Sequence, residues 1–215
     1  MRIKRGSKRV RKILSGKNDE CISCNISKYA ELTETIIHLE NSKILNSSCW
    51  YNYFHNSTKT FIFKLHNNLL GMNSRVAHFV RGHQSTCTFC DLSREPEENS
   101  ENTKHIFFYC RHVELLLTQI YTWIFDSDVP ISLSRTEYFV GFKFPNEHKN
   151  RSLHVINLIV KKFIWDCKLR FTIPEFNSSR IYITGEVNRI SRQAPFIRTS
   201  FIQSGIFHEN QGFRF

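Results

Sequence analysis

Cys87-Thr88-Phe89-Cys90 opens a stretch that closes on His105-Ile106-Phe107-Phe108-Tyr109-Cys110, and the spacing is C-x2-C-x14-H-x4-C. Three thiols and one imidazole in that order can close a tetrahedral site around one Zn2+. The short gap in the first pair lets a tight turn aim both sulfurs at one point. The four-residue gap between His105 and Cys110 suits about one helical turn, which predicts both side chains on one face. Such a site would tie down an irregular loop and couple its folding to the metal. The alternative is three buried thiols and a surface histidine. A catalytic zinc needs three protein ligands, an open position and a nearby general base. Four ligands with three thiolates are the closed, structural kind, and no H-x-E of a deaminase stands beside them. No catalytic residue is assigned.

Working outward, Thr58 to Gly71 reads as a helix with Phe61, Ile62, Leu65 and Leu69 on one face and Gly71 as its stop. Ser74 can cap a short helix carrying Val76, Phe79 and Val80, ended by Gly82. Residues 91–104 form an acidic loop with Asp91, Glu95, Glu97, Glu98 and Glu101, broken by Pro96. A helix is predicted from His105 to about Phe125, with Val113, Leu116, Leu117, Ile120, Trp123 and Ile124 inward. Asp126 to Pro130 is a break. Tyr138, Val140, Phe142 and Phe144 alternate, as in a strand or an extended packed segment.

The strongest helix is 151–170, striped by Val155, Ile156, Ile159, Val160, Phe163, Ile164 and Cys167 and closed by Pro174. Cys167 on that stripe reads as a core thiol. The expected fold is mostly α, a small helical domain with a zinc-knuckle insertion and little or no β-strand. Residues 1–20 read as a basic disordered arm and 21–49 as a linker or second metal-binding segment. Residues 50–185 form the helical zinc-binding domain, and 186–215 are a tail without clear periodicity.

The chain has 215 residues, 40% hydrophobic with 19 Phe, enough for a real core. No run approaches the ~20 apolar residues of a membrane span. Met1-Arg2-Ile3-Lys4-Arg5 lacks the apolar stretch of a secretory signal. Seven cysteines, an odd count, argue against a full disulfide framework and for a reducing, nuclear or cytoplasmic setting. The formal charge is +11, but eight of the 30 Lys and Arg lie in residues 1–17 with no acid, leaving 22 bases against 19 acids beyond. That arm, with Arg5, Arg9 and Arg11, reads as a nuclear localisation signal or a phosphate-binding segment. An organelle transit peptide and a solvated terminus without a role are the alternatives.

With these elements placed, residues 61–110 resemble the zinc-binding domain that follows the polymerase in non-LTR (LINE-type) retrotransposon reverse transcriptases. The resemblance rests on an apolar helix and a Leu-x-x-Asn-x-Arg turn, Leu70 to Arg75 with Asn73, followed by Cys87 and Cys90. It continues through Glu101 four residues before the histidine to His105-Ile106-Phe107 and Cys110. It extends into Leu158 to Lys168 and covers roughly residues 50–175. The Cys90–His105 loop is longer and more acidic than in that family. No Tyr-x-Asp-Asp-type motif is present, so the resemblance implies a non-catalytic remnant or derivative of a retroelement protein. It also implies RNA or an RNA–DNA duplex as partner.

On that reading Arg75, Arg81, His83 and Arg111, with Lys161, Lys162 and Lys168 on the long helix, are the candidate phosphate contacts. The acidic loop should repel phosphate. Phe89 and Tyr109 are candidates for stacking on bases, each with a core alternative. Cys21, Cys24, His38 and Cys49 could form a second zinc site, or the first two could be redox-sensitive thiols. Asp166-Cys167-Lys168 matches half of a restriction-type nuclease motif, but its helical setting favours a solvent-facing ion pair. The rival function is a structural or protein-interaction domain in which zinc only holds helices together.

Overall fold

The computed structural model describes residues 53–90, 100–139, 142, 144–207 and 212–213. The predicted arm (Arg5, Arg9, Arg11) and the second ligand group (Cys21, Cys24, His38, Cys49) lie outside these residues, as does most of the acidic loop. The described residues are mostly helical, as the sequence predicts, with one isolated β-bridge between Thr86 and Ser100. In chain order the helices are α1 (Asn56–His66), α2 (Asn73–Ala77), α3 (Arg111–Ile124), α4 (Arg135–Phe139), α5 (Glu147–Leu169), α6 (Phe176–Gln193) and α7 (Pro195–Gln203). A π-helical turn, His105–Tyr109, precedes α3.

Helix α5 lies at the centre, packed against α1, α6 and α7, and α6 also packs on α3. It starts four residues before its predicted onset because the Asn146 side chain accepts from the backbone N–H groups of His148 and Lys149. Its whole predicted stripe is buried, Cys167 included, which makes that residue the core thiol expected. Burial raises the Cys167 thiol pKa.

Three local expectations are corrected. Helix α1 ends at His66, not Gly71. The Asn67 side chain donates to the Phe63 carbonyl (2.8 Å) and Asn68 turns left-handed at φ 51, which leaves Leu69 52% exposed. Helix α2 buries nothing. Ser74 is not its cap, because Glu101 fills that role through its own carbonyl and carboxylate, and Phe79 and Val80 face solvent. Of the Tyr138–Phe144 segment, Tyr138 lies in α4 and not in a strand, and Phe142 and Phe144 are in neither helix nor strand. Both backbone groups of Phe144 are bound by the Asn150 side chain at 2.8 Å, which meets the need a sheet partner would meet. Val140 lies outside the described residues.

The largest revision concerns the C-terminal part. The boundary expected at residue 185 falls inside α6, which runs through Gly185 without a break. Ile183, Val187 and Ile190 form a buried stripe at helical spacing. Ile197 and Phe201 on α7, then Ile206 and Phe213, complete the same core. Trp123 of α3 stacks on Phe213 at 5.5 Å. Residues 186–203 are therefore part of the helical domain and not a separate tail.

Candidate metal centre

The four predicted ligands come together: their ligating atoms all lie within 4.8 Å of one another. Cys90 Sγ is 3.3 Å from His105 Nε2 and 3.6 Å from Cys110 Sγ, and Cys87 Sγ is 4.0 Å from Cys110 Sγ. Ligands about 2.3 Å from a tetrahedral zinc stand ~3.8 Å apart, so the spacing fits that ion. Cys87, Cys110 and His105 are buried and Cys90 half-buried. The Phe89 N–H points at Cys87 Sγ at 3.4 Å, the backbone contact of a thiolate-holding turn.

The second pair meets for a reason the spacing alone does not supply. His105 and Cys110 are five positions apart, which in an α-helix turns their side chains about 140° from each other. The chain instead makes a π turn, with the Cys110 N–H donating to the His105 carbonyl at 2.7 Å. Widening the turn by one residue brings both ligands to one face, and π turns of this kind recur at functional sites. Cys110 then leaves helical geometry at ψ 123 and caps α3.

Crowding three sulfurs has an electrostatic consequence. The Cys87 thiol pKa is pulled down to about 4, chiefly by its hydrogen bond with Cys110. The same contact and burial push Cys110 up. A cation among the sulfurs would let the thiolates ionise together.

A buried polar hub holds the knuckle in place. Glu101 is fully buried. Its carboxylate accepts from the Asn73 N–H (2.8 Å), the Thr88 N–H (3.0 Å) and the Thr88 hydroxyl (2.6 Å), and it pairs with Lys168 Nζ at 2.9 Å. Lys168 also donates to Asn73 Oδ1, and Asn73 Nδ2 binds the Thr86 carbonyl at 2.8 Å. One carboxylate thus ties α2, the cysteine turn and the end of α5 together. Thr88, between the two cysteines, gave no sequence signal of this role. Glu101 stood out only by its position before His105.

The predicted phosphate contacts divide into two groups. Arg75, Arg81, His83 and Arg111 are exposed, with Arg75 donating to the Asn68 carbonyl and His83 Nε2 3.4 Å from Asn73 Oδ1. Lys161, Lys162 and Lys168 are buried instead: Lys161 donates to the Tyr138 carbonyl (2.8 Å), Lys162 pairs with Asp166, and Lys168 with Glu101. Helical position alone put them on an outer face, but α4 and the knuckle cover it. Asp166 therefore pairs one turn back and not with Lys168. Phe89 is buried in the core, and Tyr109 is 45% exposed.

Comparison of the chain with protein-family models, curated proteins and solved structures finds no match. The class defined by fold and site is therefore a mostly helical domain with a Cys3His cluster able to hold a metal ion.

Proposed function

We propose that this chain is a non-catalytic, zinc-stabilised helical module that binds RNA or an RNA–DNA duplex, akin to the region after the polymerase of a non-LTR retrotransposon reverse transcriptase. The observation that carries the zinc assignment is the closed set of three sulfurs and one imidazole, all within 4.8 Å of one another. Nucleic-acid binding is supported by the exposed run from Arg75 to Gln84, which holds Arg75, His78, Arg81 and His83 and no acid, directly before the knuckle. The acid-free residues 1–17 add a second basic segment. Lys161, Lys162 and Lys168 drop out as contacts.

The burial of those three lysines favours a second reading, in which zinc only stabilises a protein-interaction domain. An electrophoretic shift of zinc-loaded full chain with structured RNA, across a salt series, separates the two. Binding that weakens linearly in log–log form as salt rises is expected. No shift at low salt would leave the second reading. Metal analysis should return one zinc per chain.

A further inference from the structure

The end of α5 displays an aromatic ring at a conformational cost. Arg170 caps the helix, the Phe171 N–H donates to the Lys168 carbonyl (3.1 Å), and the Thr172 N–H donates to the Cys167 carbonyl (3.0 Å). This is a Schellman stop, which requires a left-handed residue at the position Phe171 occupies, and its φ is 55. Glycine is the usual occupant because a β-carbon is strained there. The other described non-glycine residues at positive φ are Asn68 and Asp126, types that tolerate that conformation. Phe171 has neither excuse, and burial does not offset the strain: its side chain is 84% exposed. A strained, solvent-facing aromatic points to a function outside the fold.

Phe171 also lines a shallow cleft of about 580 Å³ with Asn73, the Cys87–Cys90 turn and a second stretch of Gly82, His83, Gln84 and Thr86. Among the described residues no carboxylate lines it. The bases flanking it, Arg81 before Gly82 and Arg170 before Phe171, are exposed. An apolar flat ring, polar side chains in the same cleft and cations at the margin match an unpaired nucleobase, which has an apolar face, a hydrogen-bonding edge and a phosphate. An apolar peptide would leave the polar lining and the arginines unused.

We propose that Phe171 and the polar lining of this cleft form a subsite for one unpaired base of single-stranded RNA. Phe171 stacks on the base, His83, Gln84 and Thr86 meet its edge, and Arg81 and Arg170 flank its phosphates. This rests on the RNA-binding reading above.

The test is fluorescence anisotropy of a dye-labelled oligouridine with zinc-loaded full chain and three variants. Phe171→Leu should weaken binding about ten-fold or more, and Phe171→Tyr should keep wild-type affinity by keeping a ring. Phe171→Gly should also weaken binding while its melting temperature rises, because glycine relieves the strained stop. That opposite pair of effects excludes unfolding as the cause. If wild type binds and Phe171→Leu binds equally well, the subsite is overturned and RNA binding stands. If wild type shifts structured RNA but does not bind oligouridine at low salt, the subsite is overturned and the RNA reading stands. If it binds neither, the RNA reading fails and takes the subsite with it.

Discussion

The described knuckle residues, 73–90 and 100–110, and the helical layer, 147–207 with 212–213, rest on different balances of forces. In the knuckle, α2 buries no side chain at all, and four groups able to hold a metal and the Glu101 carboxylate fix position beside only three other core side chains, Phe89, Ile106 and Phe107. In the helical layer, α5, α6 and α7 meet through apolar stripes such as Ile159, Ile183, Val187 and Phe201. An apolar interface loses stability in increments, since each deleted methylene contributes a fraction of the whole. A point-fixed region fails in large steps, because each ligand or carboxylate serves several elements. The two regions should therefore respond differently to single changes.

The largest step should come from the metal. Structural zinc contributes roughly 10–16 kcal/mol in isolated zinc-finger peptides. Cys110→Ser should take bound zinc from one per chain to none, and hydrogen exchange should show residues 73–110 losing protection while α5 to α7 keep theirs. Equal loss of protection in both regions would show that they unfold as one unit.

The next step tests the hub that joins the regions. Glu101→Ala strips Lys168 of its carboxylate inside the protein and leaves the Asn73 and Thr88 N–H groups without their acceptor. Breaking one side of a buried ion pair costs about 3–5 kcal/mol. Urea unfolding with saturating zinc should show a loss of that order, and adding Lys168→Met to Glu101→Ala should recover part of it. A loss under about 1 kcal/mol would mean that the pair behaves as an exposed one.

What the sequence made legible follows the same division. The ligands could be chosen because metal chemistry fixes residue type and spacing whatever the surrounding fold. The π turn that makes H-x4-C work could not be read, since it is a backbone solution to a spacing an α-turn does not satisfy. The α5 stripe was legible because it repeats over roughly three and a half turns. Ile183, Val187 and Ile190 carry the same period, but Gly185 and the polar residues Thr184, Glu186, Asn188 and Arg189 between them mask it. Lys161, Lys162 and Lys168 were misplaced for a third reason. Periodicity on one helix orders its own faces but does not reveal that α4 and the knuckle cover a second one.

That covered face holds the smallest and most specific test. Lys168 on α5 meets a carboxylate of the knuckle, whereas Lys161 on the same helix is buried with a carbonyl and the rings of Tyr138 and Phe139 at 4.6 and 5.1 Å. Burial pulls the Lys161 ammonium down from 10.5 to about 7. Above pH 10.5 it is neutral folded or unfolded, and no penalty exists. Between pH 10.5 and 7 the unfolded chain holds the extra proton, so stability falls as pH falls, and below pH 7 the penalty is complete. Lys161→Met should remove it. The Tyr138 carbonyl keeps a donor in Asn157 Nδ2 at 3.3 Å, so the substitution orphans no buried acceptor. The variant should be more stable than wild type at pH 6 by on the order of 1–3 kcal/mol, with the difference shrinking toward zero near pH 10. Subtracting the two stability curves cancels every other titrating group. A flat difference, or a destabilised variant at pH 6, would mean that the rings and the carbonyl hold the ammonium as well as water does. The helical layer would then tolerate a lone cation without the carboxylate the knuckle supplies.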